Sequence, residues 1–130
     1  MISQSAKAVR IPTVTGVYDS YFQAKAAIST EQVALSITGA QGLLNSLSTL
    51  YSLSPSYAVT IRVRVDGVTV YTSQAVAAAM SDLLGDSTFL RRAFPNGVAF
   101  RSSLVITCQI AVGGGGTLNV NYNAVTVDSL

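Results

Sequence analysis

The chain of 130 residues has no histidine, no tryptophan and a single cysteine, Cys108. Each shortage removes a class of chemistry. Without histidine there is no Cys-His or Ser-His-Asp nucleophile pairing and no histidine-containing zinc site, and one cysteine cannot build a cysteine cage. No intrachain disulfide can form. Cys108 therefore reads as a small buried hydrophobe in a strand. Charge is also scarce. Charged residues make up 11% of the chain, against about 25% in a typical soluble protein. The net charge of +2 is too small to suggest nucleic acid, which calls for a basic stripe. No apolar run approaches the ~20 residues needed to cross a bilayer, and the first residues lack the apolar core of a signal peptide. The expectation is a chain with no cofactor, no metal, no small-molecule substrate, no membrane partner and no enzymatic activity.

What is present is strand pattern. Tyr57 to Thr72 reads as a β-hairpin around a two-residue Asp66-Gly67 turn, the strongest short-range hairpin signal. With those two residues in the loop, Val65 opposes Val68 and Val63 opposes Val70. Directly opposed residues point to the same side of a sheet. One face is then Ile61, Val63, Val65, Val68, Val70 and Thr72; the other is Thr60, Arg62, Arg64, Thr69 and Tyr71. A one-residue slip would mix the faces, so turn chemistry and hydrophobic pattern agree.

Other segments follow the same logic. Residues 1–12 form a polar, lightly basic arm with Lys7 and Arg10, and 13–130 form a single β-sandwich domain, an ordinary size for one core. Val14 to Ala27 reads as a strand that Gly16 breaks or bulges. In Gln32 to Thr38, Val33, Leu35 and Ile37 share one face. Gly42 to Leu53 is ambiguous. Leu43, Leu44, Leu47 and Leu50 have helical spacing, but the intervening Asn45, Ser46, Ser48 and Thr49 are poor helix formers, and strand is preferred. Ser73 to Gly85 is rich in alanine, with Ser73 as N-cap, Gly85 as stop and Val76, Met80, Leu83 and Leu84 as a stripe; it reads as a short helix. Pro95-Asn96-Gly97 is a turn. The adjacent Arg91 and Arg92 read as a solvated turn or an intersubunit ion pair rather than an anion site. Leu104, Ile106, Cys108, Ile110 and Val112 alternate inward, with Thr107 and Gln109 outward. After Gly113 to Gly116, Leu118, Val120 and Tyr122 face in and Asn119, Asn121 and Asn123 face out. The two apolar faces suggest a hairpin, for example with Cys108 opposite Val120. The phase change to Val125 and Val127 suggests a bulge. The glycines lack the Lys-Ser/Thr and helix of a P-loop.

These elements predict an all-β fold, a single jelly-roll-like antiparallel β-sandwich with one short helix inserted between strands. Leu35-Ser36-Ile37-Thr38-Gly39 with Gly42-Leu43-Leu44, then Ile61 through Tyr71, then Gly97-Val98-Ala99-Phe100-Arg101-Ser102-Ser103-Leu104-Val105-Ile106, resembles small β-sandwich virion proteins of tailed and other bacteriophages. These include jelly-roll decoration, head-fibre and minor capsid proteins. The resemblance covers roughly Val33 to Val120. It implies a symmetric homo-oligomer located in a virion, contacting its own copies and other virion proteins, and carries over no active-site residues. A surface so poor in charge suits packing against other subunits. Met80 and Leu83, on the expected helix, and Lys7 and Arg10, on the arm, are the candidate subunit contacts. Two alternatives share the architecture. One is a carbohydrate-binding sandwich using Tyr18, Tyr21, Tyr51, Tyr57 or Tyr71 as platform; the other is a nucleic-acid-binding coat protein using Arg62 and Arg64.

Overall fold

The computed structural model describes residues 11–24, 30–51, 59–73, 80–84, 88–110 and 117–130. They form strands β1 (Val14–Ala24), β2 (Gln32–Thr38), β3 (Gln41–Tyr51), β4 (Val59–Val65), β5 (Val68–Thr72) and β6 (Met80–Asp82), a short helix α1 (Phe89–Ala93), and strands β7 (Val98–Phe100), β8 (Ser103–Ile110) and β9 (Leu118–Val127). One sheet has the order β1-β9-β3-β6, with β7 also pairing to β3; the other has the order β2-β8-β4-β5. All pairings are antiparallel. The pairs are nested. β4 pairs β5, β3 pairs β6 and β7, β2 pairs β8, and β1 pairs β9. A long antiparallel ribbon folded over on itself in this way is a jelly roll. The expected all-β sandwich with one short helix is what forms.

The core lies between the sheets. Leu44, Leu47, Val120 and Ala124 from one sheet face Ile61, Val63, Leu104, Ile106 and Ile110 from the other, with Phe100 and Leu90 filling the end. Of the residues expected inside, Val65 is partly buried at the rim.

The Asp66-Gly67 turn forms as read, with Val65 opposite Val68. Asp66 and Gly67 both take positive φ, 52° and 84°, which is what a two-residue turn between right-twisted strands requires. The register then slips: Arg64 opposes Thr69 and Val63 opposes Tyr71. Val70 is the extra residue, so Val63 does not meet it. Tyr71 rather than Val70 opposes Val63, and Val68, opposite Val65 at the rim, is 62% exposed.

Bulges explain most of the remaining departures. In β3 the register shifts between Leu44 and Ser46, so Asn45 is extra. Inward positions run Gly42, Leu44, then Leu47 and Thr49. A three-residue step inside a strand mimics helical spacing, and this is why the leucines looked helical. In β2 a shift at Ala34 turns Val33 outward while Leu35 and Ile37 stay buried. In β1 the shift falls between Val14 and Gly16, where Gly16 was expected to break the pattern. β9 itself runs without a bulge. Ala124 and Thr126 continue its inner face and Val125 its outer face, and the irregularities lie in its partners β1 and β3.

Two expectations about connectivity fail. β8 and β9 do not pair; they lie in different sheets. Their apolar faces do match, but they meet across the sandwich rather than side by side, and alternation alone cannot tell these arrangements apart. The Ala-rich segment is the other. Residues 74–79 and 85–87 lie outside the described residues, but Met80–Asp82 is strand, paired with Ser48 to Leu50. Ser73 exchanges hydrogen bonds with Ile61: Ser73 N–H donates to the Ile61 carbonyl (2.8 Å) and Ile61 N–H donates to Ser73 Oγ (2.8 Å). Leu83 and Leu84, expected on the helical stripe, lie in a turn after β6 and are buried. Among the described residues the helix is α1, capped by Thr88, whose Oγ1 accepts from Arg91 N–H.

Candidate functional site

Of the residues singled out as subunit contacts, Met80 and Leu83 are described. Lys7 and Arg10 lie outside the described residues. Met80 sits on β6 opposite Leu50. Leu83 is buried in the core of its own chain, its N–H bonded to the Leu47 carbonyl (2.8 Å). It follows β6 in a turn and packs inward, so it is not presented to a neighbouring subunit.

Arg91 is partly exposed, and its guanidinium is committed to its own chain. Its guanidinium donates to the carbonyls of Leu84 (3.0 Å), Pro95 (3.2 Å) and Asn45 (2.9 Å). It ties α1, the following turn and the β3 bulge together, a fork geometry only arginine offers. That turn forms as expected, with Gly97 N–H bonded to the Phe94 carbonyl (3.1 Å) and Gly97 at φ 98°.

Arg62 and Arg64 lie on the outer face of the second sheet and share one carboxylate. Arg62 meets Glu31 at 3.0 Å and Arg64 meets it at 3.2 Å. Arg62 also donates to Gln109 Oε1 (3.1 Å). Desolvation would raise the Glu31 pKa; hydrogen bonds from Thr107, Arg64 and Arg62 and the charge of Arg64 outweigh it and hold the carboxyl below its usual value. The Thr107 hydroxyl lies buried without a well-aligned partner, so the two arginines carry that effect. Thr107, expected outside, is 1% exposed, because the long side chains on either side roof it over. Cys108 is buried as expected, and burial, with the Glu31 charge, pushes its thiol up to about 11.

Asp66 does more than turn the hairpin. Its carboxylate accepts from the backbone N–H of Arg101 (3.0 Å), Ser102 (2.7 Å) and Ser103 (3.1 Å) and from Ser102 Oγ (3.1 Å). Asp66 N–H in turn donates to the Ser103 carbonyl (3.0 Å). Hydrogen bonds from Ser102 and Ser103 hold the carboxyl below its usual range. A side chain whose own backbone is in a turn thus organises a second loop, 35 to 37 residues away. Nearby, Thr15, Gly39, Ala40, Gln41, Arg101, Ser102 and Val127 line an open cleft of about 430 Å³. Gly39 and Ala40 N–H are spent on the Ser102 carbonyl, and Gln41 Nε2 on the Asp128 carbonyl, so its polar groups serve to close the sandwich end.

The exposed apolar surface is concentrated on β1 and the residues before it. Among the described residues, five of the nine large exposed hydrophobics are there: Ile11 (83%), Val14 (53%), Val17 (64%), Tyr18 (38%) and Tyr21 (60%). β1 is an edge. It pairs β9 on one side and no described strand on the other. Tyr18 and Tyr21, the possible sugar platforms, lie on this strand, whose second edge meets no described strand. The signal was present in the near absence of charge, with Asp19 alone in β1.

The outer face of the same sheet is amide-rich. The register puts Tyr21 beside Asn121 beside Ser48, Asp19 beside Asn123 beside Ser46, and Gln23 beside Asn119 beside Leu50. Asn45 Nδ2 donates to Asn123 Oδ1 (3.3 Å), and Asn121 Nδ2 donates to Ser48 Oγ (3.5 Å). Among the described residues no group of His, Cys, Asp and Glu could hold a metal. Among the described residues no helix is long and apolar enough to cross a membrane. No family model, curated protein or solved structure matches the chain.

Proposed function

We propose that this chain is a non-enzymatic structural subunit of a bacteriophage virion, a capsid, decoration or appendage protein that assembles as a symmetric homo-oligomer through the β1 edge. One observation carries the reading. β1 offers 11 residues of strand with an unpaired edge among the described residues and exposed apolar side chains on both faces. Half the backbone N–H and C=O groups of such a strand point away from its single partner. Edge strands of proteins that stay monomeric are usually short, charged or covered; this one is long and carries a single charge. A second copy is the occupant that fits, because antiparallel pairing of β1 with itself closes under a two-fold axis. It would also bring together apolar residues with little charge to oppose them.

The jelly roll supports the reading by analogy alone, since the same architecture serves capsid subunits and lectins. The nucleic-acid alternative loses its support, because Arg62 and Arg64 are held by Glu31 rather than presented as a free basic stripe. The test is mass by light scattering at micromolar concentration. Wild type should be a defined multimer, and Val14→Lys with Val17→Lys should be a folded monomer. A monomeric wild type, or a double variant that keeps the multimer, would remove the basis for assembly through β1.

A further inference from the structure

We propose a second role for the first sheet: its outer face, across β1, β9 and β3, binds a stretch of neutral glycan chain. The inference goes beyond the assembly reading and does not depend on it. It begins with β9. This strand lies in the sheet between β1 and β3, and its outer positions are Asn119, Asn121 and Asn123. Asparagine is among the residues depleted in strands, and a face that only needed solvation would be served by threonine or mixed charge. Three alternating asparagines on a paired central strand break a local preference, and such breaks cluster where function demands them.

Most neighbours are polar, with Leu50 beside Asn119 as the apolar exception on these rows. Ser46 and Ser48 flank the asparagines on β3, and Asp19, Tyr21 and Gln23 flank them on β1. Side-chain amides and hydroxyls both donate and accept, as do the vicinal hydroxyls of a pyranose. The contacts between Asn45 and Asn123 and between Asn121 and Ser48 are long, 3.3 and 3.5 Å. They leave each amide with further donors and acceptors while fixing its place. Tyr21, 60% exposed, stands in the middle row and offers an aromatic surface for the C–H face of a sugar ring. Successive rows are ~7 Å apart along the strand and neighbouring strands ~5 Å apart, so the patch is long enough for a short oligosaccharide.

Charge selects the ligand class. Asp19 is the one ionic side chain on these three rows, and it is negative. A phosphate, sulfate or uronate would meet no cation there. The paired arginines lie on the other sheet. A neutral chain is the complement of this face.

The test uses the full chain and four neutral hexasaccharides, cello-, chito-, malto- and mannohexaose, titrated calorimetrically to millimolar concentration, with polygalacturonate as the anionic comparison. At least one neutral chain should bind, with an affinity insensitive to salt. Tyr21→Ala, at an exposed position that leaves the fold intact, and Asn121→Ala should each weaken it by about tenfold or more. Arg62→Ala, on the opposite sheet, should leave it unchanged. Val14→Lys with Val17→Lys should dissociate the oligomer and still bind, which separates this inference from the assembly reading. No binding to any of the four, binding confined to polygalacturonate, binding unaffected by Tyr21→Ala, or occupation of this face by a protein partner would overturn it.

Discussion

Gly42→Ala tests the architecture with one methyl group. Gly42 sits in β3 opposite Thr126 of β9 and Phe100 of β7, where three strands come together. A Cβ there would overlap the Val125 carbonyl oxygen and stand 2.9 Å from both the Phe100 ring and Thr126 Cα. Two of those three atoms belong to backbone, so no rotamer change relieves them. β3 and β9 would have to separate where the sheet depends on them most. Overpacking of a core commonly costs 1–3 kcal/mol and more when backbone must move, so a loss of about 3 kcal/mol or more is expected. The comparison is Gly39→Ala, three residues away. Gly39 has φ +68° with nothing within 4 Å of a new Cβ. Its cost is backbone strain alone, about 1–2 kcal/mol, partly offset by the stiffer unfolded chain. Urea denaturation measures both. With a slope of about 1.5 kcal/mol per M, Gly42→Ala should lower the midpoint by roughly 2 M and Gly39→Ala by less than half of that. A Gly42→Ala protein as stable as Gly39→Ala would refute the β3–β9 register.

Ile106→Asp should abolish soluble expression, since that position is buried in the core and an unpaired carboxylate is costly there; Thr107→Asp, buried on the face of Arg62 and Arg64, should cost less, and equal loss in both would show that the arginines do not compensate the new charge. Asp66→Asn should flatten the acid limb of the stability curve. The folded carboxyl is depressed, so its contribution is present above the unfolded value, about 3.9, and is lost as pH falls below that; an unchanged acid limb would show that the Arg101 to Ser103 contacts contribute nothing. Cys108, pushed up to about 11, should resist a thiol reagent at pH 8 in the native state and react on unfolding. Its folded value lies above the unfolded one, so its contribution holds at lower pH and is lost as pH rises from the ordinary thiol range, about 8.5, through that folded value. Rapid native labelling would contradict its burial.

The sequence was most legible where structure is local. Asp66-Gly67 specifies its turn through two residues with φ > 0, and the inward alternation of Leu104, Ile106, Cys108 and Ile110 specifies a strand without reference to anything distant. Legibility ended where one extra residue changes the phase. Asn45 made a strand look helical, Ala34 turned Val33 outward, and Val70 displaced Tyr71 inward. It ended again where two apolar faces could meet in two ways, as with β8 and β9. At the end of the Ala-rich segment, Met80 to Asp82 are held by pairing with β3, a distant contact that the stripe of Met80, Leu83 and Leu84 does not reveal. Of the surfaces, the Asn119, Asn121 and Asn123 row could be read from alternation. Its partners on β1 and β3 could not, because register between distant strands is a tertiary fact. The Asp66 contacts with Arg101 to Ser103 were hidden for the same reason.

Amide hydrogen exchange tests strand by strand whether β1 is the proposed assembly edge. Wild type at a concentration where it is multimeric should protect peptides covering Val14–Ala24 far more than the Val14→Lys, Val17→Lys variant does. Peptides covering β5, the edge of the other sheet, should exchange alike in both. Equal exchange of β1 in the two proteins, or protection gained at β5 instead, would contradict the assignment.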